Sequence, residues 1–149
     1  MHSIEKSVDV EVPVSTAYNQ WTQFEQFPTF MEGVKEVRQL DAQRLSWKAN
    51  VAGKDVEWTA EIVEQVPDQR IAWRSLDGAQ NSGVVTFATV GASRARITLR
   101  LEYRPSGIAE SSGSALGLVS ARVQGDLERF KTFIEERGTE TGQWRGQIP

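Results

Sequence analysis

Cysteine is absent from the 149 residues, which excludes disulfides, thiolate metal sites and cysteine nucleophiles. Histidine occurs once, as His2 near the start, which argues against zinc or copper; no metal and no other cofactor is expected. No apolar run approaches the roughly 18 residues of a membrane span, and "MHSIEKSVDVEVPV" has no apolar core of signal-peptide length. Basic residues fall short of acidic ones, 17 against 20, so the chain lacks an electrostatic footprint for nucleic acid or an anionic membrane. Phosphate-cradling Gly-Lys-Ser/Thr loops and dinucleotide fingerprints are missing too, and "GSALG" does not have nucleophile-elbow spacing. Together these absences predict a soluble, cytoplasmic protein of one domain. A chain of this length buries about 68–70% of its unfolded surface and needs no staples.

What is present is alternation. "KSVDVEV" places Val8, Val10 and Val12 on one face and Ser7, Asp9 and Glu11 on the other, a half-buried strand that Pro13 ends. Ala17 and Trp21 then stand at helical spacing, with Ser15 or Thr16 able to cap the helix, and Pro28 ends or kinks the region. Six further strands are predicted at Val34–Leu40, Arg44–Val51, Val56–Val66, Arg70–Leu76, Gly83–Val90 and Arg94–Arg104. Turn signals such as Gly53-Lys54, Pro67-Asp68 and Asp77-Gly78 separate them. Such short spacings point to an antiparallel meander. The period then changes: Leu116, Val119, Val123, Leu127, Phe130 and Ile134 form one helical stripe, with Gly138 as its stop. The Gly- and Ser-rich loop 106–117 before it is either a connector or a hinged lid. Residues 1–138 form the domain; 139–149 are an irregular tail, with Trp144 placed to dock back. A curved seven-stranded sheet with one apolar face, wrapped around the long C-terminal helix, gives a two-layer α+β fold.

The segments "VEVPVSTAYNQWTQFEQFPTFMEGVKEV" and "VQGDLERFKTFIEERG" resemble the START-like helix-grip (SRPBCC) superfamily. That superfamily takes in START lipid-transfer domains, birch-pollen-type allergens and bacterial polyketide cyclase/dehydrase proteins. The tail "ETGQWRGQI" is similar to the bacterial cyclase/dehydrase subgroup. The resemblance implies a helix-grip fold with a cavity between sheet and long helix, and Phe27, Phe30 and Met31 at its mouth. From the residues alone, those three equally suit an end plug of the core.

Trp47, Trp58 and Trp73 each occupy the apolar phase of their own strand, and the three strands are consecutive. Cross-strand neighbours on one face approach within roughly 5 Å, so an indole cluster facing the helix is predicted, either stacking a ligand or filling the core. Phe87 and Leu99 complete the expected sheet wall, and Val119, Val123 and Leu127 the helix wall. Ionisable groups are few on the inward phase. The aromatase/cyclase resemblance implies an inward Arg, and the matching position here is Ile62. Arg74 and Tyr103 remain as candidate catalytic groups, with Tyr18 a further polar group near the cavity, although Arg74 alternates with Trp73 and points outward. Glu57 and Glu61 share the polar phase opposite Trp58 and read as a solvated face. Arg94, Arg96, Arg100 and Arg104 form a stripe on the last strand. If that strand pairs with the first, as the resemblance implies, Asp9 and Glu11 face Arg96 and Arg100 in exposed ion pairs.

The leading expectation is binding or transport of a hydrophobic small molecule such as a lipid, quinone or polyketide. The second is an enzyme of cyclase or dehydratase type. The third is a protein-interaction module using a sheet edge or the Trp144 tail, which a solid core beside an exposed apolar patch would favour.

Overall fold

The computed structural model describes residues 2–51, 53–78, 80–103 and 113–148. Seven strands form one antiparallel sheet: β1 His2–Val10, β2 Val34–Gln39, β3 Arg44–Val51, β4 Lys54–Val66, β5 Arg70–Gly78, β6 Asn81–Gly91 and β7 Arg94–Tyr103. The spatial order is β1-β7-β6-β5-β4-β3-β2. The last strand thus returns beside the first, and the rest is a meander. Two register shifts in β4, at Thr59/Ala60 and Ile62/Glu64, add local twist to a 13-residue strand and help to curl the sheet. Helix α1 spans Val14–Trp21, a 3-10 helix spans Phe24–Thr29, and helix α2 spans Gly113–Arg137.

Several expectations need correcting. Neither Ser15 nor Thr16 caps α1: Pro13 is the N-cap and no side chain bonds the first turn. Proline's fixed φ suits that position, and its carbonyl accepts the Ala17 amide at 3.2 Å. The helical path breaks at Thr22, whose hydroxyl turns back to the Asn19 carbonyl at 2.6 Å, while Pro28 sits inside the 3-10 helix. Helix α2 starts at Gly113, before the predicted Leu116; the remainder of the proposed lid, 106–112, lies outside the described residues, as does Arg104. At the far end, Gly138 takes a φ of 74° and its amide closes on the Ile134 carbonyl at 2.9 Å, a C-terminal stop that glycine adopts without strain.

The core is continuous. Val123, Leu127, Phe130 and Ile134 on α2 join Val10, Val85, Phe87 and Ile97 from the sheet in one buried cluster. Polar clamps bind α2 to its surroundings. Arg129 Nε donates to the Phe30 carbonyl at 2.9 Å and pairs with Asp126, while Asp126 Oδ1 accepts the Glu32 amide at 3.1 Å. Burial pushes the Asp126 carboxyl up from its ordinary value, although the Arg129 bond pulls the other way. Lys131 Nζ reaches the Asp9 carbonyl at 2.9 Å, and Glu135 accepts the Glu11 amide at 2.7 Å.

The tail is better held than its irregular backbone suggests. Gln20 on α1 bonds Thr141 twice, donating to its hydroxyl at 3.1 Å and accepting its amide at 2.8 Å. The Trp144 amide donates to the Thr22 hydroxyl at 3.1 Å, and Ile148 forms a two-bond bridge with Gln65. These bonds account for Gln20 and Thr22 being buried although polar.

On the outer face, Asp9 does pair with Arg96 at 2.8 Å. Glu11, however, pairs with Arg94 at 2.6 Å, because the ladder sets Glu5 against Arg100. Each arginine holds its carboxyl partner below the ordinary carboxylate value.

Candidate functional site

A cavity of about 210 Å³ lies between the sheet and α2. It is built from the ends of strands that meet on one side of the molecule. Trp47 and Trp58 are ladder partners on β3 and β4, and their rings stack at 5.4 Å with only 8° between planes. Next along the sheet stands Trp73 on β5, then Asn81 on β6 and Leu99, Leu101 and Tyr103 on β7; Val119 closes the helix side. Leu45, Val56, Ala60, Ile62 and Ile71 form the floor, and Trp21, Phe24, Phe27 and Met31 the flank.

Alternation predicts these floor positions as inward, and the structure puts them there. It does not say how far along each strand the hollow extends. Of the residues expected at the wall, Phe27, Met31, Trp47, Trp58, Trp73, Leu99 and Val119 line the cavity. Phe30, Phe87, Val123 and Leu127 do not; they pack into the solid part of the core. Phe30 turns to α2, with its ring 5.2 Å from Phe130 and 5.3 Å from Phe133. Phe87 is spent on Tyr18 and Trp21, at 5.3 and 6.2 Å. The aromatic segment therefore splits its duties: Phe24, Phe27 and Met31 face the cavity, Phe30 plugs the core, and all four are buried.

Of the two candidate catalytic groups, only Tyr103 is at the cavity. Arg74 lies on the outer face, where its Nη2 meets Glu61 Oε1 at 2.9 Å and its side chain is 62% exposed; cross-strand pairing with Glu61 holds it there. Ile62 is on the floor, at the position where the aromatase/cyclase resemblance implies an inward Arg. Tyr18 is fully buried but packs behind Phe87 rather than on the lining. Burial pushes its hydroxyl pKa up, and Arg145 lies over its ring at 5.6 Å. Glu57 is on the exposed side of β4.

Polar groups at the cavity come mainly from indoles. Trp73 Nε1 donates to Asn81 Oδ1 at 3.0 Å, while the Nε1 atoms of Trp47 and Trp58 are shielded from solvent with no acceptor. Asn81 escaped sequence reasoning because it sits beside a turn, where an Asn is ordinary. Its signal was its place, eight residues from Trp73 across a tight hairpin. Among the described residues of the lining, Tyr103 is the only titratable one, and no described group of His, Cys, Asp and Glu is arranged to hold a metal ion. Among the described residues, no helix is long and apolar enough to cross a membrane.

The interaction-module reading finds less support. Trp144 is packed against the core cluster. Among the described residues, the exposed large apolar ones are Leu40, just past β2, Val63 on β4, Leu76 on β5 and Val90 on β6.

An uncharacterised 17.2 kDa protein of Streptomyces lincolnensis is 48% identical over 149 residues, 99% of each chain. A solved structure from Deinococcus radiodurans is 30% identical, with a TM-score of 0.73 over 92% of this chain and 99% of that one. An aromatase/cyclase from a Streptomyces species, 19% identical, shares the fold with a TM-score of 0.77 over 96% of this chain and 99% of its own. Residues 10–132 match the profile described as polyketide cyclase/dehydrase and lipid transport. With that match spanning most of its length, on a curled seven-stranded sheet that grips a C-terminal helix, the chain belongs to the polyketide cyclase/dehydrase and lipid transport family.

Proposed function

We propose that this protein binds or carries a small hydrophobic molecule in the cavity between its sheet and α2. The observation that carries this reading is a hollow of about 210 Å³ walled by tryptophan, phenylalanine and aliphatic side chains beside a continuous cluster of buried apolar residues. Interiors pack to near-crystalline density, so a hollow of this size calls for a use. Its volume falls below the roughly 300–1,000 Å³ of sites for drug-sized ligands, which suits a guest of one or two rings. Burial of guest surface at about 25 cal/mol per Å² supplies the affinity. The lipid-transport half of the family description is in keeping with this. Native mass spectrometry of the protein purified from its own host tests it: a co-purifying apolar compound is expected, released on denaturation. A clean apo mass, together with no calorimetric binding of lipids, quinones or polyketides, would sink the reading.

A second reading, a cyclase- or dehydratase-type enzyme, draws on Tyr103 at the wall and on the cyclase half of the family description. Proton transfer and oxyanion stabilisation need more than one placed group. With Arg74 outside, Tyr103 has no second titratable group among the described lining residues. Tyr103→Phe leaving turnover of a discovered substrate intact would dispose of its catalytic role.

A further inference from the structure

The inward row of β1 holds one residue that the apolar core does not account for. Its phase runs Ile4, Lys6, Val8, Val10. Ile4 and Val10 are buried, and Val8 packs against the core cluster. Lys6 shares their phase and is half-buried. In the ladder it stands opposite Leu99, and Ile4 opposite Leu101; both leucines line the cavity. Cross-strand partners on one face bring their Cβ atoms to about 4.5–5.5 Å, so the Lys6 stem starts beside the cavity wall. A lysine in such a place lays its methylenes along apolar surface and carries its ammonium to water. Lys6 is not itself a lining residue, and β1 is the edge of the sheet, so its charge belongs to the rim rather than to the interior.

The carboxylates around it are committed elsewhere. On the outer face Asp9 takes Arg96 and Glu11 takes Arg94. On α2, which packs against β1, Glu135 takes Lys131 and Asp126 takes Arg129. Among the described residues none forms an ion pair with Lys6.

We infer that Lys6 is a specificity-determining residue at the cavity rim, selecting guests that join an apolar body to an anionic head group, of which a carboxylate is the simplest. The inference rests on the hydrophobic-ligand reading above and narrows it. The body fills the cavity, and the head stays at the rim, hydrated on one side and facing the ammonium on the other. It goes no deeper, because no described lining residue is charged at pH 7 and an ion buried without a partner is strongly disfavoured. The chain's net charge of −3 works weakly against any anion, so a preference for one has a local source. An inward charge on an edge strand also discourages pairing with another sheet, but that use predicts nothing about guests, and the two are separable.

The test compares 4-phenylbutyrate with 4-phenylbutanamide, which share a shape and differ by one charge, by isothermal titration calorimetry at low ionic strength. The wild-type chain is expected to bind the carboxylate about fivefold more tightly, the upper end for a partly exposed pair, with the preference shrinking as salt is added. Lys6→Met is expected to abolish the preference while keeping amide binding, and Lys6→Arg to retain it. Equal binding of both compounds by the wild type, or an unchanged preference in Lys6→Met, would overturn the inference and leave the hydrophobic-ligand reading standing. Binding of neither compound would also overturn it, while native mass spectrometry decides the broader reading independently. Should Lys6→Met associate through the bared edge, Lys6→Gln, which stays polar without the charge, is read in its place.

Discussion

The two ends of the contact between sheet and helix are made differently. Toward the C-terminal end of α2, Leu127, Phe130 and Ile134 meet Val10, Val85 and Ile97, all exposed by no more than 1%. Phe130 adds edge-on contacts with Trp21 and Phe30 at 5.0 and 5.2 Å. Toward the N-terminal end, Trp47, Trp58, Trp73, Leu99, Leu101, Tyr103 and Val119 are only partly buried and surround the cavity. Alternation in the strands and the stripe on the helix run through both ends unchanged. The difference lies in side-chain size and reach: at one end branched aliphatics and phenylalanines interlock, and at the other rigid flat rings stack on each other and leave space. Close packing is thus concentrated at one end and open volume at the other.

Truncation should separate the ends most strongly. Phe130→Ala is expected to cost about 3–5 kcal/mol, and Val119→Ala about 1 kcal/mol, by urea unfolding. Comparable losses would mean that the cavity end is as tightly packed as the other. Enlargement gives the reverse test. Ala95→Leu, at a fully buried site of the solid end, should cost about 1–3 kcal/mol by overpacking. Ala60→Leu, on the cavity floor, should stay within about 1 kcal/mol of wild type and weaken guest binding about tenfold or more by calorimetry. Least of all should be felt from the ion pairs outside the solid end. The Arg96 hydrogen bond lowers the Asp9 carboxyl below its ordinary 3.8. The stability this pair contributes is therefore present above that value and lost as pH falls through the lower folded-state one. Asp9→Asn should flatten the acid limb of a plot of Tm against pH below about pH 4 and barely change Tm at neutral pH, since an exposed pair is well screened. A large neutral-pH loss would place electrostatics, rather than packing, in charge of that end.

Legibility followed the same division. Strand existence and the helical stripe are readable because burial imposes periods of two and of about 3.6 on the residues; the meander follows from the short spacings between strands, and the pairing of the last strand with the first only from the family resemblance. Depth along a strand imposes no period. Phe87 and Trp73 are both inward, yet one is in the solid core and the other at the cavity, and only the ladder register tells them apart: Phe87 lies opposite Ile97, Trp73 opposite Gly83. Phe30 lies elsewhere than expected for a related reason: it caps the end of the 3-10 helix, where the chain leaves the helical path and spacing alone does not say which side chain turns to α2. Asn81 was silent because its role arises only when a hairpin folds it onto an indole. The tail's anchoring was partly readable in Trp144 and not at all in Gln20 or Gln65, whose burial depends on partners more than 80 residues away.

Four of the five tryptophans, Trp21, Trp47, Trp58 and Trp73, border the cavity, and the fifth, Trp144, is on the tail. Most of the protein's indole fluorophores therefore stand on the walls of this cavity. Occupancy by an absorbing guest should quench their light without any label, and a variant with Trp144 replaced by Phe would glow from the chamber alone.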